Sequence, residues 1–332
     1  MERILITGAS GFIGSFLVER ALALGMDVWA AIRRTSSRRY LTDERIRLIE
    51  LDFSSSEAMT RQLDGLSFDY VVHAAGVTKS ADSDAFRRVN TIGTQHLTEA
   101  LASCGTPPRL LVFMSSLSVF GPVREEQPYT AISDDDEPRP NTAYGRSKLE
   151  AEGVVRRCGL PYVMLRPTGV YGPRERDYYL MARSIQHHLD FAVGRKPQDI
   201  TFVYVADVVQ AVFLAIERAR EAQGRAYCLS DGEVYSSRTF SDLLHEALGR
   251  PWLLRLTVPL WVLRAATGIG ELSAKLTGRV TALNTDKYNI LKQRNWRCDI
   301  TPAEHYLGYR PQYKLDAGVE QTVRWYKDNK WL

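Results

Sequence analysis

Arg3-Ile4-Leu5-Ile6-Thr7-Gly8-Ala9-Ser10-Gly11-Phe12-Ile13-Gly14 joins an apolar run to three glycines at a spacing of three. A strand that turns into a helix leaves backbone N–H groups unpaired at the helix start, where they and the helix dipole can bind a pyrophosphate. We expect Gly8 to form the tight turn, Gly11 to admit the cofactor backbone and Gly14 to let the helix pack on the sheet. Because an amphipathic helix over residues 12–24 follows, the stretch predicts a dinucleotide-binding turn rather than an ordinary one.

The composition favours a globular protein with a nucleotide-binding domain and a smaller lobe, since 332 residues are 45% hydrophobic and 25% charged. A net charge of +4 with dispersed basic residues argues against a nucleic-acid partner. The four cysteines are far apart, so we predict neither a metal site nor a disulfide framework. This cysteine pattern fits a reducing, cytoplasmic location. The early first strand predicts no signal peptide, and the lack of a long apolar run predicts no membrane span.

Strand-like and helix-like segments alternate through the first half of the chain, which predicts an α/β fold with a doubly wound parallel sheet of the Rossmann type. Residues 1–168 plus about 199–220 are expected to form the dinucleotide-binding domain. About 169–198 and 221–332 are expected to form a smaller, mostly helical C-terminal lobe that binds substrate. The predicted strands are 3–7, 27–33, 46–51, 70–74, 110–115, 162–166 and 200–205, and the predicted helices are 12–24, 55–62, 85–104, 142–158, 208–218 and 317–327.

Tyr144 and Lys148 share one face near the start of a predicted helix, because they are four residues apart. A phenol has a reference pKa of about 10, and a nearby ammonium favours the phenolate and lowers that pKa. Taken alone, the pair fits a half-buried amphipathic helix equally well. However, the strand before it ends in Ser115 and Ser116, at the carboxyl edge where open parallel sheets bind ligands.

Together these motifs resemble the extended short-chain dehydrogenase/reductase family, which includes NAD-dependent epimerases and dehydratases, dihydroflavonol reductases and 3β-hydroxysteroid dehydrogenases. The similarity runs from the glycine motif to about Leu248, with Phe120 where many members carry tyrosine. It implies that Ser116, Tyr144 and Lys148 are catalytic, with Ser115 as the alternative serine. It also implies a homodimer joined through the helices over 85–104 and 142–158.

The glycine motif and the resemblance imply two sets of binding residues. The expected cofactor-binding residues are Gly8, Ser10, Gly11, Phe12, Ile13, Gly14, Arg33, Ser36, Asp52, Phe53, Ala74, Ala75, Gly76, Asn90, Ser115, Tyr144, Lys148, Pro167, Thr168 and Val170. The expected substrate-binding residues are Thr78, Ser116, Leu117, Ser118 and Tyr144.

The loop after the second predicted strand bears on the choice of nicotinamide cofactor. NAD sites of this type usually place an Asp or Glu about 20 residues beyond the glycine motif. Here the strand ends in Arg33, followed by Arg34, Ser36, Arg38 and Arg39. Arginine forks and hydroxyls match a 2′-phosphate, so NADP(H) is favoured and NAD(H) stays possible. The alternative is a solvated basic loop.

Two features bear on the substrate. Sugar-nucleotide members of the family carry an Arg-Asp pair where this chain has Ile200-Thr201, although arginines at 174, 176, 183 and 195 could replace it. The second lobe is rich in large apolar residues, which either line a site for a hydrophobic alcohol or ketone or pack the lobe. They are Trp252, Leu253, Leu254, Leu256, Val258, Leu260, Trp261, Val262 and Leu263.

The sequence thus favours an NAD(P)-dependent oxidoreductase that interconverts a ketone and a secondary alcohol by hydride transfer on an apolar small molecule. The first alternative is a nucleotide-sugar epimerase or dehydratase that keeps NAD tightly bound. The second is a non-catalytic nucleotide-binding protein, which the presence of both Tyr144 and Lys148 disfavours.

Overall fold

The computed structural model describes residues 1–80, 82–194, 196–277 and 285–332. Its strands are β1 (Arg3–Thr7), β2 (Asp27–Ile32), β3 (Arg47–Glu50), β4 (Tyr70–His73), β5 (Leu110–Met114), β6 (Tyr162–Pro167), β7 (Gly169–Tyr171), β8 (Leu189–Val193), β9 (Asp199–Ile200), β10 (Phe202–Tyr204), β11 (Arg225–Leu229), β12 (Tyr235–Ser236), β13 (Leu254–Val258) and β14 (Asn295–Trp296). Its helices are α1 (Phe12–Ala23), α2 (Ser56–Leu63), α3 (Ser83–Phe86), α4 (Gly93–Ser103), α5 (Ala143–Arg157), α6 (Arg176–Gln186), α7 (Val205–Glu217), α8 (Ala219–Ala222), α9 (Thr239–Ala247), α10 (Leu260–Thr277), α11 (Thr285–Lys292) and α12 (Leu315–Asp328).

Seven parallel strands form the main sheet in the order β11-β6-β5-β4-β1-β2-β3. Alternate side chains of each strand enter different cores, so Ile4 and Ile6 pack with α1 and α7 while Leu5 packs with α2, α4 and α5. Both faces are therefore covered, as the expected doubly wound Rossmann fold requires. The strand order reverses between β1 and β4, which opens a crevice at their carboxyl ends.

One strand prediction is wrong. Within residues 200–205, the longer strand β10 pairs with β7 in a separate two-stranded sheet, outside the main sheet. The seventh main-sheet strand is β11, which pairs with β6 along Arg225–Leu229, in a region predicted to be irregular and helical. Helix α7 still packs against α1, β5 and β6, as the sequence predicts for residues 208–218.

The remaining elements lie beyond the main sheet. Strands β8 and β13 form a parallel pair, and β12, β9 and β14 form a three-stranded sheet. Helix α12 packs against α9 and β10 and closes the chain as predicted. In the part of the chain that the structure describes, every helix is too short or too polar to cross a membrane.

Candidate active site

The glycine turn lies at the crevice between β1 and β4. Gly8 has a φ of +69°, and a Cβ there would lie 2.6 Å from the carbonyl oxygen of Ala74. A Cβ on Gly14 would overlap the carbonyl of Gly8, so the helix can approach the turn only without a side chain. No described side chain caps α1 at Gly11, and its first turn contains no acidic residue. This arrangement fits the pyrophosphate of a dinucleotide.

A buried hydrogen-bond chain fixes the loop after β4. His73 Nδ1 lies 2.7 Å from Thr7 Oγ1 and its Nε2 lies 2.9 Å from Thr94 Oγ1. The Thr94 hydroxyl gives its proton to the carbonyl of Asn90, so it can only accept from His73, and His73 Nε2 therefore carries the ring proton. His73 Nδ1 then accepts from the Thr7 hydroxyl, whose oxygen in turn accepts from Ala75 N–H. The Asn90 side chain extends this hydrogen-bond network, because it accepts from the N–H of Val77 and donates to the carbonyl of the same residue. The predicted cofactor residues 74–76 and 90 are thus one connected unit.

His73 should make folding stability depend on pH. Burial, with the positive charge of Lys148, lowers the pKa of His73 from 6.5 to about 3. Between those values the unfolded chain binds a proton that the folded chain does not, so stability is present above pH 6.5 and is lost as the pH falls. We expect urea unfolding to show a loss of about 2 kcal/mol from this residue between pH 7 and pH 5.

The comparison uses His73→Asn, in which the loss between the same pH values should be smaller by that amount. His187→Asn, at an exposed position, serves as the control and should keep the wild-type dependence. Identical pH dependence in wild type and His73→Asn would contradict the assignment.

Ser116 and Tyr144 meet at the carboxyl edge of the sheet. Tyr144 lies in the first turn of α5, whose N-cap Thr142 accepts from Gly145 N–H at 2.9 Å. Burial raises the pKa of the Tyr144 phenol, and its hydrogen bond with Ser116 partly offsets this. The ring of Phe86 contacts the Tyr144 ring edge to face at 6.3 Å. Burial therefore favours the protonated phenol, and the serine that the resemblance implies lies close to it.

Lys148 lies one turn further along α5 and is buried. Its Nζ is 4.5 Å from the centre of the Phe113 ring, and a Cβ on Gly76 would lie 3.9 Å from it. Burial lowers the pKa of Lys148 to about 8, against the carboxylate of Glu152, which raises it. Burial is the largest influence on the Tyr144 phenol and raises its pKa, because it disfavours the charged phenolate.

A buried ionic cluster distinguishes the two serines. Glu152, one turn beyond Lys148, is fully buried and receives two hydrogen bonds from Arg166, at 2.9 and 2.7 Å. Ser115 donates to the same carboxylate at 2.7 Å, and Asp134 accepts from Arg166 at 2.9 Å. The hydroxyl of Ser115 therefore points into the protein, whereas that of the next residue, Ser116, faces Tyr144.

Asp286 binds the start of helix α5 from the C-terminal part of the chain. Its carboxylate accepts from Ala143 N–H at 2.9 Å and from Tyr144 N–H at 3.4 Å. Asn289 of the same helix donates to the carbonyl of Asn141. Sequence reasoning missed this contact because nothing in the local pattern links positions 143 residues apart. Glu152 left a signal, since Tyr144, Lys148 and Glu152 recur every four residues.

The other predicted site residues are placed as follows. Arg33 is exposed, and its amide donates to Ser36 Oγ at 3.0 Å, which turns the basic loop. Phe53 stacks on His73 at 6.0 Å, while the exposed Asp52 accepts from Ser54. Of the other predicted cofactor-binding residues, Ser10, Phe12 and Ile13 lie at the glycine turn. Pro167 ends β6, Thr168 donates to the carbonyl of Thr201, and Val170 lies in β7.

The predicted substrate-binding residues differ in exposure. Thr78 is exposed, Ser118 is half-buried beside Ser116, and Leu117 is 1% exposed within a core cluster.

The apolar residues of the second lobe do not all pack inside it. Trp252 and Trp261 expose 72% and 74% of their surface, and Leu254 and Leu256 are also exposed. Leu263 is buried, and Leu253 packs partly buried against a core cluster. The packing interpretation therefore fails for the exposed residues. Of the arginines that could replace the family's Arg-Asp pair, Arg195 lies outside the described residues.

Comparison with known proteins agrees with this geometry. The chain is 27% identical over 362 residues to human 3 beta-hydroxysteroid dehydrogenase type 7, covering 97% of this chain and 94% of the relative. It is 26% identical over 341 residues to the UDP-glucose 4-epimerase of Vibrio cholerae, covering 97% and 95%. The solved UDP-glucuronic acid 4-epimerase of Bacillus cereus, in complex with NAD, superimposes with a TM-score of 0.75 at 22% identity over 98% of this chain and 99% of that one.

A family model built from sequences tests whether this chain shares a family, and not only a fold, with these proteins. The model of the NAD dependent epimerase/dehydratase family matches residues 4–230, which include the glycine turn, Ser116, Tyr144, Lys148 and β11. The similarity therefore covers the whole main sheet and the candidate site. The chain belongs to the NAD-dependent epimerase/dehydratase family, within the extended short-chain dehydrogenases/reductases.

Proposed function

We propose that the protein is an NAD(P)-dependent oxidoreductase that interconverts a ketone and a secondary alcohol on an apolar small molecule. The observation that carries the proposal is the placement of Ser116, at the end of β5, close to the Tyr144 phenol, with Lys148 on the same helix face beside the backbone of Gly76. These groups lie at the carboxyl edge of the sheet, next to the glycine turn.

The protein's own residues handle the substrate oxygen and its proton. A nicotinamide bound at the crevice supplies or accepts the hydride. Ser116 donates a hydrogen bond to the ketone oxygen, and Tyr144 transfers its phenolic proton to that oxygen as it becomes an alcohol. Lys148 binds the cofactor ribose and stabilises the phenolate that remains. In the oxidising direction the same proton returns to Tyr144.

Two observations favour an apolar substrate over a sugar nucleotide. Thr201, where sugar-nucleotide members carry a charged pair, is 2% exposed and donates to the carbonyl of Trp296 at 2.6 Å. It therefore offers no charge to a diphosphate. In addition, Trp252 and Trp261 expose most of their apolar surface.

Two measurements test the function. Thermal shift with nucleotide-sugars, steroids and flavonoids, each with NADP and NAD, should give the largest stabilisation with a hydrophobic ketone or alcohol. Nicotinamide absorbance of the purified, denatured protein should show cofactor well below one equivalent. Stoichiometric retained NAD would instead support the epimerase or dehydratase alternative, in which the hydride leaves and returns to one substrate.

For the cofactor we propose a preference for NADP(H), with NAD(H) also bound. Arg33 and Arg34 are exposed, and no described residue forms an ion pair with either. Arg33→Asp should therefore weaken NADP binding relative to NAD by more than about tenfold, or about 1.4 kcal/mol. Isothermal titration with both cofactors measures the ratio, and an unchanged ratio would favour the solvated-loop interpretation.

We also propose the homodimer implied by the resemblance, joined through the helical segments over residues 85–104 and 142–158. Light scattering during size-exclusion chromatography should give twice the 37.6 kDa chain mass.

A further inference from the structure

Arg174 lies in the turn after β7, outside the catalytic groups, and binds the glycine-motif helix. Its φ is +74°, in the left-handed region that residues other than glycine seldom adopt. Its Nη1 donates to Ser15 Oγ at 2.8 Å and its Nη2 donates to Glu19 Oε1 at 2.6 Å. The Arg174 side chain is 13% exposed, whereas that of Glu19 is 47% exposed, so the guanidinium is the more buried partner of this ion pair.

The same guanidinium is stacked between two aromatic rings. Its Cζ lies 4.2 Å from the ring centre of Phe16 on α1 and 4.2 Å from that of Tyr40, which follows the basic loop. Arg39 stacks on Tyr40 at 5.4 Å. Among the described residues, Tyr40 OH and Arg174 Nε have no hydrogen-bond partner although both are buried. The loop is therefore held on α1 here by stacking, and each such contact away from water is worth about 1 to 2 kcal/mol.

The position of these contacts relates them to the cofactor. The loop over residues 33–40 follows β2 at the edge where the adenosine ribose lies in sheets of this type, and α1 carries the phosphate-binding turn. Arg174 itself follows Thr168 and Val170, which are predicted to back the nicotinamide. One side chain thus joins three segments around the crevice.

We propose that Arg174 is a positioning residue of the cofactor site, which holds the loop over residues 33–40 against α1 so that the adenosine end of the site is preformed. This inference rests on the proposed NAD(P) function. It differs from the role proposed for Arg33, because a residue that orders the whole loop affects NADP and NAD alike.

Titration of NADPH and NADH into Arg174→Ala should raise both dissociation constants by about tenfold and leave their ratio unchanged, since about 1.4 kcal/mol of preorganisation is lost. Tyr40→Leu removes the second ring that stacks on Arg174 and should also raise both dissociation constants. Tyr40→Phe keeps that ring and should bind both cofactors like wild type. Arg176→Ala, at an exposed position on α6, is the matched control and should bind both cofactors like wild type.

A second readout does not depend on cofactor binding. Trypsin cleaves after arginine, and the loop contains Arg33, Arg34, Arg38 and Arg39, so limited digestion of the ligand-free Arg174→Ala protein should cut residues 33–39 about tenfold faster than wild type. Unchanged cleavage in a variant that still melts cooperatively would overturn the inference. Loss of NADPH affinity alone would also overturn it, since Arg174 would then contact the 2′-phosphate. If the wild type bound neither cofactor, the proposed function would fail while digestion still tested the loop contact.

Discussion

Tyr144→Phe should bind NADPH within about twofold of wild type and lose turnover by a factor of about 10² to 10⁴. The phenol gives its proton to the substrate oxygen, so its removal affects the reaction far more than the ground state. The Phe ring keeps the contact with Phe86, and the fold should be retained. Turnover is measured on the ketone or alcohol that gives the largest thermal shift, and cofactor affinity by titration.

Tyr162→Phe is the matched control for this result. The Tyr162 hydroxyl donates to the carbonyl of Gly224 at 3.4 Å, away from Ser116 and Lys148, so its loss should leave turnover unchanged. A Tyr144→Phe protein that keeps more than about a tenth of wild-type turnover would contradict the proton-transfer role.

Glu152→Ala should lower the free energy of unfolding by about 3 to 5 kcal/mol, the largest stability effect that we expect from a single charge. The carboxylate is fully buried and accepts from Ser115 and from Arg166, whose side chain is 3% exposed. Burial lowers the pKa of Arg166, but its hydrogen bonds with Glu152 hold that pKa above its usual value. Removing the carboxylate leaves that guanidinium buried with Asp134 as its remaining acidic partner. Urea denaturation measures the loss.

The control is Glu150→Ala on the same helix. Its carboxylate is 49% exposed and pairs with the exposed Arg87 at 3.4 Å, so the loss should stay below about 1 kcal/mol. Equal losses in the two variants would show that Glu152 makes no special contribution to the core.

Local pattern was sufficient for the first part of the fold. The glycine turn and the strands β1 to β6 lie within a few residues of their predicted positions, because most of these strands are apolar runs bounded by turn residues. The assignment of β10 and β11 failed for a different reason. Both are short apolar runs, and the sheet that each joins depends on partners distant in sequence.

In the candidate site too, local spacing could be predicted and contacts between distant residues could not. The spacing of Tyr144 and Lys148 follows from helix geometry, so the sequence could place them on one face. The choice between Ser115 and Ser116 could not be made, because successive side chains at the end of β5 point to opposite sides, and only the position of Glu152 distinguishes them. Arg174 and Asp286 reach partners more than 140 residues away, and no periodic pattern marks such contacts.

Strand β11 has a consequence for attempts to divide the protein. The chain leaves the main sheet after β6, builds β7 to β10 with α6, and returns only at residues 225–229 to cover the free side of β6. A fragment that stops at residue 168 would expose the backbone groups of β6 as an unprotected edge, which favours aggregation. We therefore expect truncated proteins that end before Leu229 to be less soluble than those that include β11.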